Sequence, residues 1–268
     1  MKYAARLVAL QRSLYESSNP TRRYLHCVRR DWIHEQISAL SEEKPAALAV
    51  EIGPGSGVHL PPLAGAAEQV LALDVEHAYL RAASERYAGE QCRDRLYFAE
   101  GDLRCAPLRA ASVDLLLCSE VLEHVVDTPA MLRGIAELLD AGGHAIVTTP
   151  QPFSPVEVLG KIAFLPGVLQ LVRLLYREPV EPTGHINVMG RRKLEAQFAA
   201  AGLTILRRET LGFYLPVIAE FGGRRGQRLL AWLESLLRGG QLRALLWTQC
   251  YVLKKLQAPV VEQGPSPR

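Results

Sequence analysis

Ala47-Leu48-Ala49-Val50-Glu51-Ile52-Gly53-Pro54-Gly55-Ser56-Gly57 is the stretch on which the reading of this chain turns. A short apolar run, stopped by turn residues, reads as a buried strand. It ends in an acid and then in three glycines at alternate positions. With no Cβ atoms, Gly53, Gly55 and Gly57 allow a tight turn and leave room for a ligand against the backbone. A helix is expected from Leu60 to Ala67. Strand, glycine loop and helix in that order build nucleotide sites in α/β proteins. Alone, the same pattern also fits an ordinary turn between a strand and a helix.

Outward from this stretch, other strands and helices alternate. Val70 to Asp74, Leu96 to Ala99, Val113 to Ser119 and Ala145 to Thr149 read as strands, apolar on both faces. Helices are expected over Glu76 to Tyr87 and Leu122 to Leu139, the latter broken near Asp127-Thr128-Pro129 and stopped by Gly142-Gly143. Gly190 to Ala201 reads as a helix, Leu203 to Leu211 as a strand, Ile218 to Arg238 as helical and Thr248 to Leu253 as a strand. The pattern predicts a doubly wound α/β domain with a mostly parallel sheet.

Before the first strand, Lys2 to Glu16 and Pro20 to about Leu40 read as helices; Tyr24, Val28, Trp32, Ile33 and Ile37 form an apolar face on the second. We therefore expect one domain over residues 1–257. Residues 1–44 would be a helical cap, 46–150 the cofactor-binding core and 151–184 a lid insertion. Residues 185–257 would complete the core, with a helical insertion at 213–243, and 258–268 would be a flexible tail.

Composition narrows the class. Hydrophobic residues make up 49% of the chain and charged residues 22%, as in ordinary globular enzymes. The net charge of +3 gives no case for nucleic acid, and the arginine pairs, Arg29-Arg30 among them, read as solvated faces. Five cysteines without a CxxC pair favour free thiols in a reducing compartment, and the amino terminus has no secretory pattern, so cytoplasm is the expected location.

Three acids, Glu51, Asp74 and Asp102, fall at strand ends, where α/β sheets bind ligands. Asp74 lies 21 residues after Gly53, a distance at which an acid can hold ribose hydroxyls. Val58 follows Gly57, so the dinucleotide glycine fingerprint is incomplete. Tyr251 and Lys255 have the Tyr-x-x-x-Lys spacing of short-chain dehydrogenases but sit in the last predicted strand, and read as structural.

Val50 to Gly57, Leu73-Asp74, Gly101-Asp102-Leu103, Ser119 to Val125, and Gly142-Gly143 before a strand together resemble a class I S-adenosylmethionine-dependent methyltransferase, in the small-molecule branch with the ubiquinone-type O-methyltransferases. The resemblance covers about residues 46–150 and, more loosely, 185–256. It implies a seven-stranded Rossmann-like sheet whose last strand is antiparallel, with 203–211 and 248–253 as the closing pair. It also implies that Gly53, Gly55 and Gly57 contact the methionine part, with Glu51 beside them. Asp74 would hold the ribose, Asp102 and the Leu103 backbone the adenine, and Ser119 would face the methionine amino group.

Glu120, Glu123 and His124 would share a face if helical, and could hold a divalent ion; in the quinone enzymes that this stretch resembles, matching residues go with a magnesium requirement. His124 and His185, the latter in Thr183-Gly184-His185-Ile186-Asn187, are candidate general bases for a hydroxyl acceptor. Val156 to Tyr176 and Arg228 to Trp247 are apolar but interrupted by charge, so neither spans a bilayer. They could roof an apolar pocket or lie on a membrane surface.

The expected activity is methylation of a hydroxyl on a quinone-, lipid- or polyketide-like small molecule. Methylation of nitrogen or carbon, a cofactor-binding subunit without turnover, and a nicotinamide dehydrogenase are the rival readings.

Overall fold

The computed structural model describes residues 14–17, 19–103, 108–163 and 184–256. Among them, seven strands form one sheet in the order β3-β2-β1-β4-β5-β7-β6. The strands are β1 (Ala46–Ile52), β2 (Ala67–Asp74), β3 (Leu96–Glu100), β4 (Val113–Ser119), β5 (Leu139–Pro150), β6 (Leu203–Leu211) and β7 (Thr248–Lys255). β1 to β5 pair in parallel, whereas β7 runs antiparallel to both β5 and β6. The expected closing pair is present, and the chain reverses its winding between β1 and β4. Ligands of open α/β sheets bind beside that reversal, at the carboxyl ends of the strands.

Strand side chains alternate between faces, and two apolar clusters result. Ala49, Leu115, Leu117 and Ile146 point to one, packed by Trp32, Ile33 and Ile37 of α1 (Pro20–Glu43), Leu60 and Leu63 of α2 (Leu60–Ala66), and Leu80 of α3 (His77–Arg86). Val50, Leu116, Cys118 and Val147 point to the other, covered by Met131, Leu132 and Ile135 of α4 (Thr128–Leu138) and by Leu194 and Phe198 of α6 (Arg191–Ala200). α5 (Pro155–Ala163) follows β5, and α7 (Pro216–Phe221) and α8 (Gly223–Arg238) fall between β6 and β7.

The expected break near Asp127-Thr128-Pro129 is present and divides the predicted helix from Leu122 to Leu139 into two pieces. A single 3-10 turn spans Leu122–His124, and α4 starts only at Thr128, where the Asp127 side chain accepts a hydrogen bond from Ala130 N at 2.9 Å. Capping by Asp127 and the fixed φ of Pro129 favour starting the helix there. Gly142-Gly143 does not stop a helix: it lies inside β5, where the register with β4 shifts. A Cβ on Gly143 would sit 2.8 Å from the Val113 carbonyl oxygen, so close strand approach explains the glycine. The helical region before Arg238 is divided at Gly222, whose Cβ would meet the Ile218 carbonyl oxygen at 2.5 Å.

Residues 14–16 are helical, but the start of the predicted helix from Lys2, residues 164–183 of the predicted lid insertion, and the tail 258–268 lie outside the described residues. Among the described residues, no helix is long and apolar enough to cross a membrane. Tyr251 is buried and Lys255 Nζ donates to the Leu139 carbonyl oxygen at 2.6 Å, so both are structural as expected.

Candidate active site

The three loop glycines have φ of +64°, +51° and +71° at Gly53, Gly55 and Gly57, the left-handed region in which side chains are strained. A Cβ on Gly53 would also lie 2.7 Å from Val121 Cγ2. Hydrogen bonds fix the turn at both ends: Gly53 N donates to the Leu73 carbonyl at 2.9 Å and Gly57 N to that of Pro54 at 2.7 Å. Tyr87 of the segment after α3 donates its hydroxyl to the Gly57 carbonyl at 2.8 Å. The loop is thus preformed at the carboxyl end of β1.

Glu51 is 2% exposed, and its Oε2 has no hydrogen-bond partner among the described residues. Burial, reinforced by the Asp74 carboxylate, pushes its pKa well above the ordinary carboxyl range. A buried polar atom without a partner is costly unless a ligand completes it. Asp74, at the end of the adjacent strand β2, accepts from Glu76 N at 2.9 Å through Oδ1. Burial raises its pKa, partly offset by that backbone hydrogen bond. Asp102 follows β3 at the same sheet edge, and Leu103 beside it is buried. The sheet therefore brings Glu51, the glycines, Asp74 and Asp102 to one edge. A separate cavity of about 60 Å³, lined by Lys44, Asp114 and Gly143 among others, lies at the amino ends of the strands, away from this edge.

Ser119, Glu120 and Thr148 form a chain across the ends of β4 and β5. Ser119 Oγ is 3.0 Å from Thr148 Oγ1, which donates to Glu120 Oε1 at 3.1 Å. Glu120 has φ +56°, so it is not part of a helix, and its other oxygen lies 2.8 Å from an Arg29 guanidinium nitrogen. Arg29 is buried and stacks over the Trp247 ring, its guanidinium carbon 5.5 Å from the centroid. Burial opposes its charge, but Glu120 overcomes that and raises its pKa. The expectation that Arg29 belongs to a solvated face is therefore wrong. The signal was present: Arg29 is four residues before Ile33 and three before Trp32, on the apolar face of α1.

The predicted trio of Glu120, Glu123 and His124 does not assemble, because Glu120 turns to Arg29 and Thr148. Instead Glu123, His124 and His185 each offer an atom within 4.8 Å of the others. Glu123 is fully buried; its Oε2 accepts from Thr149 Oγ1 at 3.0 Å, and its Oε1 lies 4.0 Å from His124 Nε2 without a hydrogen bond. Burial, with the Glu120 charge, holds its pKa well above the usual carboxyl range. His124 Nδ1 is 3.1 Å from the Gly184 carbonyl, and its ring meets His185 edge-on with centroids 5.2 Å apart. Burial lowers the His124 pKa, the Gly184 carbonyl raises it and His185 lowers it, with a net decrease.

His185 Nδ1 is 3.0 Å from Glu157 Oε1, a charge-pairing distance without hydrogen-bond alignment, and Trp247 Nε1 donates to the same oxygen at 3.3 Å. Backbone contacts tie this segment down: Ile186 N and Asn187 N both donate to the Glu123 carbonyl at 2.9 Å. Glu157, Trp247, Thr148 and Thr149 were not singled out in the sequence. No local motif marks them, since their partners are remote in the chain.

The methyltransferase domain family model matches residues 50–147, which contain the glycine loop, all three strand-end acids and the Glu123–His124 turn. Over these residues the chain matches a methyltransferase domain. Its sequence is 34% identical over 125 residues to pyochelin synthetase PchF of Pseudomonas aeruginosa, covering 42% of this chain and 7% of that protein. It is 27% identical over 122 residues to the ubiquinone biosynthesis O-methyltransferase of Acinetobacter baylyi, covering 46% and 50%. The chain thus matches no more than half the length of either relative. The domain also aligns with the crystal structure of the N-methyltransferase NodS of Bradyrhizobium japonicum in complex with S-adenosylhomocysteine. That alignment has a TM-score of 0.57 at 16% identity and covers 96% of this chain and 98% of that one. At that identity the likeness concerns the fold.

Proposed function

We propose that this chain moves a methyl group from S-adenosylmethionine to a hydroxyl of a fairly apolar small molecule. The observation that carries the cofactor assignment is the preformed Gly53–Gly57 turn beside the buried, unpartnered Glu51 Oε2, with Asp74 ending the next strand. S-adenosylmethionine supplies an already activated sulfonium methyl. The protein has mainly to place acceptor and donor, since close alignment alone can supply roughly 7–11 kcal/mol of the barrier. The Ser119–Thr148–Glu120 chain orients the end of β4, and Arg29 neutralises Glu120 beside it.

The hydroxyl reading rests on His124 and His185. In the balanced step, the acceptor oxygen forms a bond to the methyl carbon as the carbon–sulfur bond breaks. The hydroxyl proton passes to a histidine nitrogen and then to water, leaving S-adenosylhomocysteine. His124, with its lowered pKa, is neutral and able to accept a proton near pH 7. Methylation of nitrogen or carbon fits the cofactor edge equally well; an unprotonated amine attacks without a base, whereas a carbon acid still has to lose its proton.

Magnesium does not suit the residues that converge. Two imidazoles and one carboxylate form a donor set characteristic of transition ions, whereas magnesium prefers oxygen ligands and water. We therefore assign His124 and His185 to proton handling.

The test is isothermal titration with S-adenosylmethionine and S-adenosylhomocysteine, then a screen of hydroxyl, amine and carbon acceptors with product detection. Micromolar binding and O-methylated product are expected. Binding of neither ligand would overturn the cofactor reading, and turnover confined to amines or carbon acids would overturn the hydroxyl reading.

A further inference from the structure

We propose that the outer face of α8 docks on an anionic lipid surface. This inference does not depend on the acceptor assigned above. α8 has two distinct sides. Gly226, Leu230 and Glu234 are buried, and the carboxylate of Glu234 is fully engaged. It accepts from Tyr24 Oη at 3.0 Å, Phe213 N at 3.2 Å, and Arg238 Nε and a terminal guanidinium nitrogen at 3.1 and 2.6 Å. Those contacts fasten the inner side to α1 and to the segment after β6, so the outer side has a fixed orientation.

On that outer side Leu229, Trp232 and Leu236 are 42%, 57% and 58% exposed. Their spacing of i, i+3 and i+7 makes one continuous stripe along the helix. Phe221 just before the helix and Leu242 just after it are also exposed. Scattered exposed apolar residues need no explanation, but an aligned stripe with a central tryptophan suits the water–lipid boundary.

Charge selects the occupant. Arg224, Arg225 and Arg228 are exposed in the first turns of α8, and none has an ion pair among the described residues. Cations at a helix amino terminus oppose the helix dipole, so their placement costs stability locally. The only acid in the helix is Glu234, on the buried side. An apolar stripe bordered by unpaired arginines, on a helix of about 24 Å, matches an amphipathic segment lying in an anionic interface.

The experiment is co-sedimentation of the full chain with vesicles of phosphatidylcholine alone and of phosphatidylcholine mixed with phosphatidylglycerol. Two triple variants are compared: Leu229→Ser/Trp232→Ser/Leu236→Ser and Arg224→Ser/Arg225→Ser/Arg228→Ser. Binding only to the anionic vesicles is expected. It should weaken by about tenfold or more in the first variant, and by roughly fivefold per arginine removed in the second. The S-adenosylhomocysteine titration should match the parent, since all six side chains are exposed, and the arginine variant should melt no lower than the parent. Absence of vesicle binding, equal binding to neutral vesicles, or binding indifferent to both variants would overturn the proposal. So would a dimer of the free protein, seen by light scattering, that the apolar variant dissociates.

Discussion

Arg29 of α1 lies 2.8 Å from the carboxylate of Glu120, whose left-handed backbone directly follows β4. This pair joins α1 to the sheet edge that carries the glycine loop. It also explains why Glu120 is absent from the Glu123–His124–His185 group. The charges are mostly buried, with 7% and 17% of their side chains exposed, so each depends on the other for stabilisation.

Arg29→Met should therefore destabilise the fold, by about 3 kcal/mol in urea unfolding, because it leaves Glu120 charged and unpaired in a largely dry site. Adding Glu120→Gln should recover part of the loss. A cost under about 0.5 kcal/mol for the single variant would mean that the pair behaves like an exposed one.

Asp74→Ala should weaken S-adenosylmethionine binding by roughly 10- to 100-fold, the range for losing a hydrogen bond to a charged group. Titration calorimetry measures this directly. Stability should change little, since the folded chain uses this side chain for a turn at Glu76 N. Unchanged affinity would remove Asp74 from the ribose site.

The base reading of His124 makes a pH prediction. Its pKa is lowered from 6.5 by burial and by His185, against the opposing Gly184 carbonyl. The unprotonated form therefore persists below pH 6.5, and kcat/KM should hold until the pH falls beneath that value. His124→Asn should lower the rate by roughly 10²–10⁴ and abolish that acidic limb. A limb that survives in the variant would assign it to another group.

Glu51→Gln separates stability from binding. In the folded chain the Glu51 pKa is raised above 4.5 by burial and Asp74, so the folded state holds that proton more tightly than the unfolded state. Its stabilising share is complete below the unfolded pKa and declines as pH rises through the folded one. The glutamine variant should thus melt higher than the parent at neutral pH, with the difference vanishing towards pH 4.5, while cofactor affinity falls. Equal melting differences at both ends of that range would contradict a buried, unpartnered carboxyl.

Chelation tests the magnesium expectation. Methyl transfer should be unaffected by EDTA, because Glu120 is held by Arg29 and the converging residues do not suit magnesium. Loss of turnover restored by added magnesium would show that the acidic residues rearrange around the ion.

Much of the domain was legible along the chain because its causes are local. Apolar runs of strand length, the glycines after Ile52, and acids at strand ends depend on near neighbours and turn chemistry. They placed β1 to β7 and the acids at one sheet edge, whereas the antiparallel close was an expectation from the family resemblance. Where local signals competed, the reading failed. The stretch before the expected break at Asp127 formed only a 3-10 turn, and Gly142-Gly143 served strand contact rather than a helix end.

The tertiary structure alone decided how distant charges are partnered. Nothing near Glu120 in the chain indicates that it meets Arg29, nor does the sequence near His124 show that His185 and Glu123 surround it. Those meetings follow from the packing of α1 on the sheet and the return of the chain after α5. In a buried setting, a polar group takes whichever partner relieves the cost of leaving water, however far away that partner lies in sequence.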